Sequence, residues 1–577
     1  MIASFTQCVH RYVLVPIKSH RLATFALAFA VLLFMPLLAL TASVFATDNG
    51  TIAHMARTVL LEFATNTLLL VVFVGFGVTV VGTSTAWLVA MCEFPGRRFF
   101  EWALIVPLAI PAYILAYAYT DLLSHPGLVQ SSLRELTGWG PRDYWFPEIR
   151  SLGGAAIMFI FVLYPYVYLL ARTAFLEQST CYTEVSRSLG YGPVQTFAYI
   201  SLPLARPAVV GGVTLALMET LADFGTVAHF AVRTFTTGIY RAWLSMDDSV
   251  AAAQLSTMLL GVVLTVIVIE RLTRRSARYH NSRRLRALPA YRLSPALGWL
   301  AAGVCTLPVL LGFVIPLLVL ANLAWITDEG PPWSRYVTLS TNSIILAGTA
   351  AVVTVSVAIF FTYAARLDPG RISTAAVRIG NLGYAVPGSI IAVAILIPFA
   401  AFDNALDAAM RSAFGISTGL ILTGTITALV MAYVIRFLAV ALGGVEAGLA
   451  RIPATMDAAA RSLGETQATM LRRVHLPLLR PALLTALLMV FVDVMKELPA
   501  TLIMRPFNFD TLAIQTYRLA SDERLAQAAT PALILVAVGL GPVILLSRRI
   551  MTSRRRDRVQ TQAGIPETAI AAATQNR

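Results

Sequence analysis

Long apolar stretches alternate with short polar segments along most of this 577-residue chain. Crossing the roughly 30 Å of hydrocarbon in a bilayer takes about 20 apolar residues. The pattern therefore predicts an all-α polytopic membrane protein with about twelve spans. Six lie near residues 22–46, 66–92, 100–122, 152–172, 205–230 and 250–270, and six near 297–326, 342–365, 377–402, 416–440, 481–504 and 528–547.

Composition and charge agree with this class. Hydrophobic residues make up 57% of the chain and charged residues 13%, about half the charged fraction of a soluble protein. The net charge of +14 comes largely from basic clusters before the first span, between the halves and after the last span. If spans alternate in direction, these clusters face one side, and the positive-inside rule predicts that both termini and the central linker are cytoplasmic. No segment suits a nucleic-acid-binding module, so the lipid bilayer is the expected partner of this surface.

One sequence motif occurs twice in the chain. The sequence reads "RSLGYGPVQTFAYISLPLARPA" from Arg187 and "RSLGETQATMLRRVHLPLLRPA" from Arg461, and residues 184–208 and 458–482 are identical at 10 of 25 positions without a gap. "TNT" at Thr65 likewise corresponds to "TNS" at Thr341, and "IPAYILA" at Ile110 to "VPGSIIA" at Val386. Each half is therefore a copy of a six-span unit running in the same direction, an arrangement typical of transporters.

The repeat sets the domain boundaries. We expect a first half over residues 1–270, a basic cytoplasmic linker over 271–296, a second half over 297–550 and a cytoplasmic tail over 551–577. The duplicated motif lies in the loop between the fourth and fifth spans of each half.

Each copy of the motif predicts a helix–Gly–helix elbow on the cytoplasmic face. Gly190 or Gly464 ends a first short helix, because glycine readily adopts the left-handed conformation that follows a helix. A second amphipathic segment follows, and Leu202-Pro203 or Leu476-Pro477 then opens the next membrane helix. The loops that hold these elbows cover residues 177–203 and 446–477.

The elbows carry a family resemblance. Glu184, Gly190, Leu202 and Pro203 match the spacing E-A-A-x3-G-x9-I-x-L-P, which marks the membrane subunits of binding-protein-dependent ABC (ATP-binding cassette) importers, and the second copy repeats it. The chain departs from the pattern by "Glu-Val-Ser" in the first copy and by an acid one residue early, Asp457, in the second. The candidate coupling residues are Glu184, Gly190, Leu202, Pro203, Asp457, Gly464, Leu476 and Pro477.

The resemblance implies the type I importer permease fold and a set of partners. In that family each elbow is a coupling helix that docks on an ATPase subunit. The expected partners are therefore two copies of a cytoplasmic ABC ATPase and a periplasmic substrate-binding protein.

The chain itself has no nucleotide-binding loop. Its two lysines, Lys18 and Lys496, end no G-x-x-x-x-G-K-[ST] motif, the loop that cradles phosphates. We therefore expect a transport subunit rather than an enzyme, with no catalytic residues and no cofactor of its own. ATP and Mg²⁺ would bind to the partner ATPase.

Spans five and eleven carry charges deep within apolar sequence. Glu219 and Asp223 in "ALMETLADFGT" correspond to Asp493 and Glu497 in "MVFVDVMKELPAT", both at an offset of 274, and Lys496 adds one positive charge. The i, i+4 spacing predicts that the two carboxylates of each pair share one helix face. A charge at mid-membrane costs about 2.5–3.5 kcal/mol, so we expect these five side chains to face one another or a polar cavity. Two interpretations stay open: an interhelical network between the halves, or a carboxylate-lined route for a cation.

Tyrosines are dense in spans three and four, at positions 113, 117, 119, 164, 166 and 168. Interfacial aromatic belts are the usual explanation for such residues. Phenolic oxygens along a transport route are the alternative.

A second resemblance concerns the cargo. "MKELPATLIMRPFNFDTLA" at Met495, "ETLADFGT" at Glu219 and the fusion of two halves in one chain resemble the fused permeases of ferric-iron importers. This implies a bacterial inner-membrane permease for Fe³⁺ delivered by a periplasmic binding protein. Glu219, Asp223, Asp493 and Glu497 are then candidate transient contacts for the ion.

Two alternatives remain at this point. One is an ABC permease for thiamine or another small organic substrate, whose route the same carboxylates could line. The other is a twelve-span secondary transporter driven by an ion gradient, since such carriers can also have parallel halves and use intramembrane carboxylates as proton relays. The duplicated elbow favours the ABC class.

Overall fold

The computed structural model describes residues 17–42, 45, 50–178, 184, 186, 188–274, 291–327 and 332–563. Within them, eleven helices are long and apolar enough to cross a membrane, and twelve if one sharply bent pair is a single span. The predicted all-α polytopic fold is confirmed. Most of the linker, residues 275–290, and of the tail, residues 564–577, lie outside the described residues, as do positions 179–183, 185 and 187 of the first elbow.

The first half contains eleven helices among the described residues. They are α1 (Ile17–Ala42), α2 (Thr51–Thr58), α3 (Leu60–Met91), α4 (Arg97–Ala103), α5 (Ala112–Leu123), α6 (Leu128–Thr137), α7 (Leu152–Leu176), α8 (Pro193–Ala222), α9 (Gly225–His229), α10 (Phe235–Tyr240) and α11 (Ser249–Arg274).

The described part of the second half adds ten helices in a matching order. They are α12 (Pro295–Ile326), α13 (Trp333–Leu367), α14 (Arg371–Gly380), α15 (Gly388–Phe414), α16 (Ile426–Leu449), α17 (Ala454–Ser462), α18 (Gln467–Lys496), α19 (Pro499–Met504), α20 (Leu512–Ser521) and α21 (Leu525–Ala563). A two-stranded parallel sheet joins β1 (Cys92–Glu93) to β2 (Tyr291–Arg292). The end of the linker is thereby fixed to the first half.

The segments predicted as the third and ninth spans are each interrupted by a break. Residues Arg97–Ala109 meet Ala112–Thr137 at 90°, and α14 is likewise separated from α15. Pro111 and Pro387 precede the inner helices with extended ψ angles of 144° and 143°. A proline forces the residue before it out of the helical region, so the motifs "IPA" and "VPG" bend the chain in both halves.

The tenth predicted span, 416–440, also begins later than expected, at Ile426. The preceding loop is held on the end of α15 by two carboxylates. Asp403 accepts hydrogen bonds from the backbone N–H of Thr423 at 2.8 Å, and Asp407 from that of Thr418 at 2.8 Å. Gly415, Gly419 and Gly424 all have positive φ, so this apolar loop cannot continue as a helix.

The helices after the elbows begin earlier than predicted. In both halves the amphipathic segment and the span are one helix, α8 or α18, with a π-helical turn at Phe197–Ser201 or Leu471–His475. Leu202-Pro203 and Leu476-Pro477 therefore follow a wide turn and do not open a new helix. A π turn accommodates a proline within a helix, because it relaxes the backbone next to the missing N–H.

The first span of each half packs against the other half. Phe25 and Phe29 of α1 lie edge-on to Phe360 of α13, with ring centroids 5.9 and 6.4 Å apart. In α12, Gly312 lies close to the carbonyl of Phe161, and the carbonyl of its neighbour Leu311 accepts a 2.8 Å hydrogen bond from Tyr119. The two sequence halves thus exchange their first helices.

The "TNT" and "TNS" motifs hold equivalent loops in the two halves. Asn66 donates to the carbonyl of Arg233 at 2.9 Å, and Asn342 to that of Asp510 at 3.0 Å. The hydroxyl of Ser343 also accepts the backbone N–H of Leu512 at 2.9 Å. The motif therefore fixes the segments that follow α9 and α19.

Candidate translocation cavity and coupling elbows

The intramembrane charges of both halves meet in one cavity. It has a volume of about 120 Å³ and lies between α8 of the first half and α18 of the second. All five predicted charged residues line it together with one that the sequence analysis missed: Glu219, Asp223, Asp493, Lys496, Glu497 and Arg436. The predicted charges thus lie around one common cavity, and four acidic and two basic side chains give it a formal charge of −2.

Glu219 and Asp493 are accessible carboxylates of the cavity. They occupy equivalent positions on α8 and α18, and their side chains are 29% and 33% exposed. Glu219 accepts a hydrogen bond of 3.0 Å from the hydroxyl of Tyr384. Asp493 lies 3.6 Å from the ammonium group of Lys496. Each retains oxygen lone pairs that a cation in the cavity can approach.

Asp223 and Glu497 have a different role, although both carboxylates of each predicted pair line the same cavity. Both residues follow the last residue of their helix. Asp223 accepts the backbone N–H of Thr226 at 2.8 Å, and Glu497 accepts those of Ala500 at 2.8 Å and Thr501 at 3.1 Å. Each carboxylate therefore satisfies the free N–H groups at the start of the short helix that follows, α9 or α19.

Arg436 of α16 is the basic residue that sequence reasoning missed. It is 8% exposed, with Nη2 3.9 Å from Glu219 Oε2 and Nη1 3.8 Å from Glu497 Oε1. It thus connects acidic side chains of the two halves. The available signal was a single arginine within "ITALVMAYVIRFLAVALGG", since a basic residue inside a span points to a buried partner.

Lys496 offsets less of the negative charge of the cavity than its position between Asp493 and Glu497 suggests. Besides Asp493, its ammonium group reaches the carbonyl of Leu108 in the opposite half at 3.4 Å. Both contacts are long, and 22% of the side chain is exposed. It therefore neutralises one acid without closing the cavity.

Among the described residues, no group of three or more His, Cys, Asp or Glu side chains lies close enough together to hold a metal ion. Contacts of Fe³⁺ with the four carboxylates therefore stay a prediction.

Aromatic side chains cover the end of the cavity away from the elbows. Phe224 stacks on Tyr240 with ring centroids 3.6 Å apart and lies 5.6 Å from Tyr517. Tyr240 donates a hydrogen bond to the carbonyl of Pro499 in the other half. Tyr113 of the cavity wall lies 5.8 Å from Tyr117. This cluster links the two halves across the cavity.

The tyrosines of spans three and four do not form an interfacial belt. Five of them are at most 6% exposed, namely Tyr113, Tyr117, Tyr119, Tyr164 and Tyr168. Only Tyr113 and Tyr166 line the cavity. The aromatic-belt interpretation is therefore wrong, since these rings pack between helices.

The second elbow is held by an ionic cluster. Asp457 of α17 accepts two hydrogen bonds from Arg366, at 2.8 and 2.9 Å, and lies 3.0 Å from Nε2 of the buried His475. Partial burial raises the pKa of Asp457, but the hydrogen bonds from Arg366 and His475 outweigh it, so the pKa lies below its ordinary value. Asp457 therefore anchors the elbow from within and is not presented on its surface.

The first elbow is held by hydroxyl groups instead. Ser186 lies 2.6 Å from the hydroxyl of Thr196, which also accepts a 3.2 Å hydrogen bond from Tyr291 at the end of the linker. Glu184 is exposed on this elbow. Gly190 and Gly464 both have positive φ, +76° and +81°, as expected for residues that end a helix. The two elbows thus share a backbone turn but differ in what secures them.

Comparison with known proteins agrees with this arrangement. A family model described as "Binding-protein-dependent transport system inner membrane component" matches residues 81–278 and 358–557, one copy in each half. The chain belongs to this family. It is thus an inner-membrane transport component, and the predicted tandem type I permease fold is confirmed.

Individual relatives cover different shares of the chain. The Fe(3+)-transport system permease protein FbpB 2 of Haemophilus influenzae is 27% identical over 494 residues, which are 84% of this chain and 90% of that protein. The ferric transport system permease protein FbpB of Actinobacillus pleuropneumoniae is 24% identical over 75% of this chain and 63% of its own length. The molybdenum transport system permease protein ModB of Escherichia coli is 24% identical over 35% of this chain and 88% of its own length.

Proposed function

We propose that this chain is the permease subunit of an ATP-driven importer that carries ferric iron across the bacterial inner membrane. The observation that carries the proposal is the cavity between the halves, where four carboxylates outnumber two basic groups. Hard oxygen ligands and net negative charge suit a hard cation such as Fe³⁺. Relatives named for ferric transport also extend over both halves, whereas a molybdenum relative spans about one.

The elbows are the proposed sites of energy input. Each would dock on one copy of a cytoplasmic ABC ATPase, which binds ATP and Mg²⁺. Glu184, Gly190, Leu202 and Pro203 would contact one copy, and Gly464, Leu476 and Pro477 the other. Asp457 would act on the second copy indirectly, by holding the elbow in shape through Arg366.

The remaining partner would bind at the opposite end of the bundle. A periplasmic binding protein would deliver the ion above the aromatic cluster formed by Tyr113, Tyr117, Phe224, Tyr240 and Tyr517. Both termini and the linker would then be cytoplasmic, in keeping with their basic residues. Movement of the halves about this cluster would expose the cavity alternately to the two sides.

Uptake of labelled ferric iron by cells with and without the chain tests the proposal. Uptake should require the chain and should continue after the proton gradient is collapsed while ATP is maintained. The double variant Glu219→Gln/Asp493→Asn should lower uptake at least about tenfold, because it removes two accessible carboxylates on which a cation depends. Copurification of the ATPase should stay at the wild-type level.

The same cells are assayed with labelled thiamine. Chain-dependent thiamine uptake without iron uptake would contradict the proposed cargo. Loss of iron uptake on collapse of the proton gradient would contradict the ATP-driven mechanism and favour a secondary carrier.

A further inference from the structure

The charges of the cavity are distributed unequally between the halves. The acidic residues repeat, since Glu219 corresponds to Asp493 and Asp223 to Glu497 at an offset of 274. The basic residues do not. At the same offset, Arg436 corresponds to Val162 and Lys496 to Ala222, and all four of these residues line the cavity. The second half alone therefore supplies the positive charge.

Arg436 is held by charge but not by close hydrogen bonds. Its Nη2 lies 3.9 Å from Glu219 Oε2 and its Nη1 lies 3.8 Å from Glu497 Oε1. Both distances exceed the usual N–H···O range. Among the described residues, Nη1 is buried without a hydrogen-bond partner. Arginine–carboxylate pairs that tie helices together are frequently short and bidentate, as Arg366 is with Asp457 at 2.8 and 2.9 Å. Arg436 lacks that geometry.

The two carboxylates beside Arg436 receive their short hydrogen bonds from other donors. Tyr384 donates to Glu219, and the backbone of α19 donates to Glu497. Both acids therefore remain in place if the guanidinium group moves away. A glycine faces this charged pair, since a Cβ atom added at Gly388 would lie 2.5 Å from Arg436 Nη1 and 2.5 Å from Glu497 Oε1. The first half has Ala112 at the equivalent position and has no such cation to accommodate.

We infer that Arg436 is a tethered counter-cation of the transport cavity. While the cavity is empty, its guanidinium group compensates Glu219 and Glu497. An entering cation takes over these carboxylates and repels the guanidinium group, and the same repulsion speeds release of the cation afterwards. The inference rests on the proposed function, since it requires that the cargo be positively charged.

Removing this charge should tighten cation binding and slow transport. Loss of one positive charge next to a multivalent ion strengthens binding, because the repulsion between them disappears at low effective dielectric. A defect in folding or packing would weaken both binding and uptake. A gain in affinity combined with a loss of uptake therefore distinguishes a counter-cation from a merely structural residue.

The test uses the full chain in lipid nanodiscs, with Tb³⁺ as the probe. Tb³⁺ luminescence is sensitised by nearby tyrosines, and Tyr113 and Tyr166 line the cavity. Arg436→Gln should bind Tb³⁺ at least about tenfold more tightly than wild type, and iron uptake by cells carrying it should fall several-fold. Arg436→Lys, which keeps the charge, should restore both values towards wild type.

Arg172→Gln is the matched control. Arg172 is also a buried arginine, 4% exposed, on the equivalent helix α7, where it lies 3.5 Å from Glu101. It does not line the cavity, so this variant should leave the Tb³⁺ affinity unchanged.

The inference is overturned if Arg436→Gln binds Tb³⁺ no more tightly than wild type, or if Arg172→Gln tightens binding equally. Iron uptake by wild-type cells decides the proposed function separately. Normal uptake with unchanged Tb³⁺ affinity in Arg436→Gln refutes the counter-cation alone. If Arg436→Gln binds Tb³⁺ more tightly but wild-type cells take up no iron, the counter-cation is supported and ferric iron as the cargo is refuted.

Discussion

At the scale of single residues, the cavity divides its carboxylates between two tasks. Glu219 and Asp493 are about one-third exposed to the cavity, whereas Asp223 and Glu497 are engaged by the backbone of the next short helix. The division between these two pairs follows from where each carboxylate lies relative to the end of its helix. A carboxylate just beyond the end of one helix can reach the free N–H groups of the next, and one within a helix cannot.

Asp223→Ala should therefore act on stability. Loss of an N-terminal capping carboxylate costs about 0.5–2 kcal/mol, so the thermal unfolding midpoint of the purified chain should fall. Asp493→Asn is the control, because it keeps the shape of a side chain that caps no helix. It should change uptake while leaving the midpoint close to wild type. Equal thermal shifts in the two variants would contradict the division.

Gly388→Ala should impair transport, although alanine is usually the better helix former. The added Cβ would lie 2.5 Å from both Arg436 Nη1 and Glu497 Oε1, so the charged pair must shift. Iron uptake should fall at least severalfold. The same change at Gly348, where a Cβ would meet nothing within 4 Å, should leave uptake unchanged, and a matching loss there would refute the steric explanation.

At the scale of elements, each elbow depends on one left-handed glycine. Gly464 turns the chain between α17 and α18 with a φ of +81°. Any L-residue with a side chain pays roughly 1–2 kcal/mol for that conformation. The elbow therefore keeps its angle only with glycine, although open space surrounds the position.

Gly464→Ala should consequently weaken docking without preventing insertion. We expect less ATPase to copurify with the chain, by about fivefold to thirtyfold, as follows from a strain of roughly 1–2 kcal/mol. Gly443→Ala provides the control, because Gly443 lies within α16, also with open space around its Cβ position, and has no positive φ. Its copurification should match wild type. Undiminished ATPase binding in Gly464→Ala would show that the elbow tolerates a different turn.

At the scale of the whole molecule, the exchange of α1 and α12 makes the two halves interdependent. Each half buries part of its first helix against the other, as Phe29 and Phe360 show at one contact and Tyr119 and Leu311 at another. The β1–β2 pairing adds a further tie at the end of the linker. We therefore expect the halves to stay together without covalent continuity of the linker.

Two separately expressed chains, divided within residues 275–290, should therefore assemble. An affinity tag on the first should copurify the second in near-equal amounts. Deleting residues 1–42, and α1 with them, from the first chain should reduce this recovery, since the partner loses its contacts at Phe360 and Phe361. Recovery of only one half from intact chains would contradict the exchanged arrangement.

Much of the architecture could be read from the sequence. Apolar runs and an internal repeat are local, additive signals, so span number, tandem halves and duplicated elbows followed from them. The same repeat identified Glu219, Asp223, Asp493 and Glu497 as a group, because charge within apolar sequence requires a partner or a cavity. Breaks within spans were harder to place, since "IPA" and "VPG" stay apolar while they bend the chain.

The tertiary structure alone decided how these parts are used. It placed Arg436 beside Glu219 and Glu497 across the interface between the halves, a pairing between residues far apart in the chain and on different helices. It also separated capping carboxylates from accessible ones, and it packed the first helix of each half on the other. Hydropathy records how strongly a residue avoids water. Which neighbours share a buried site depends on the packing of whole helices, and that is fixed only when the chain folds.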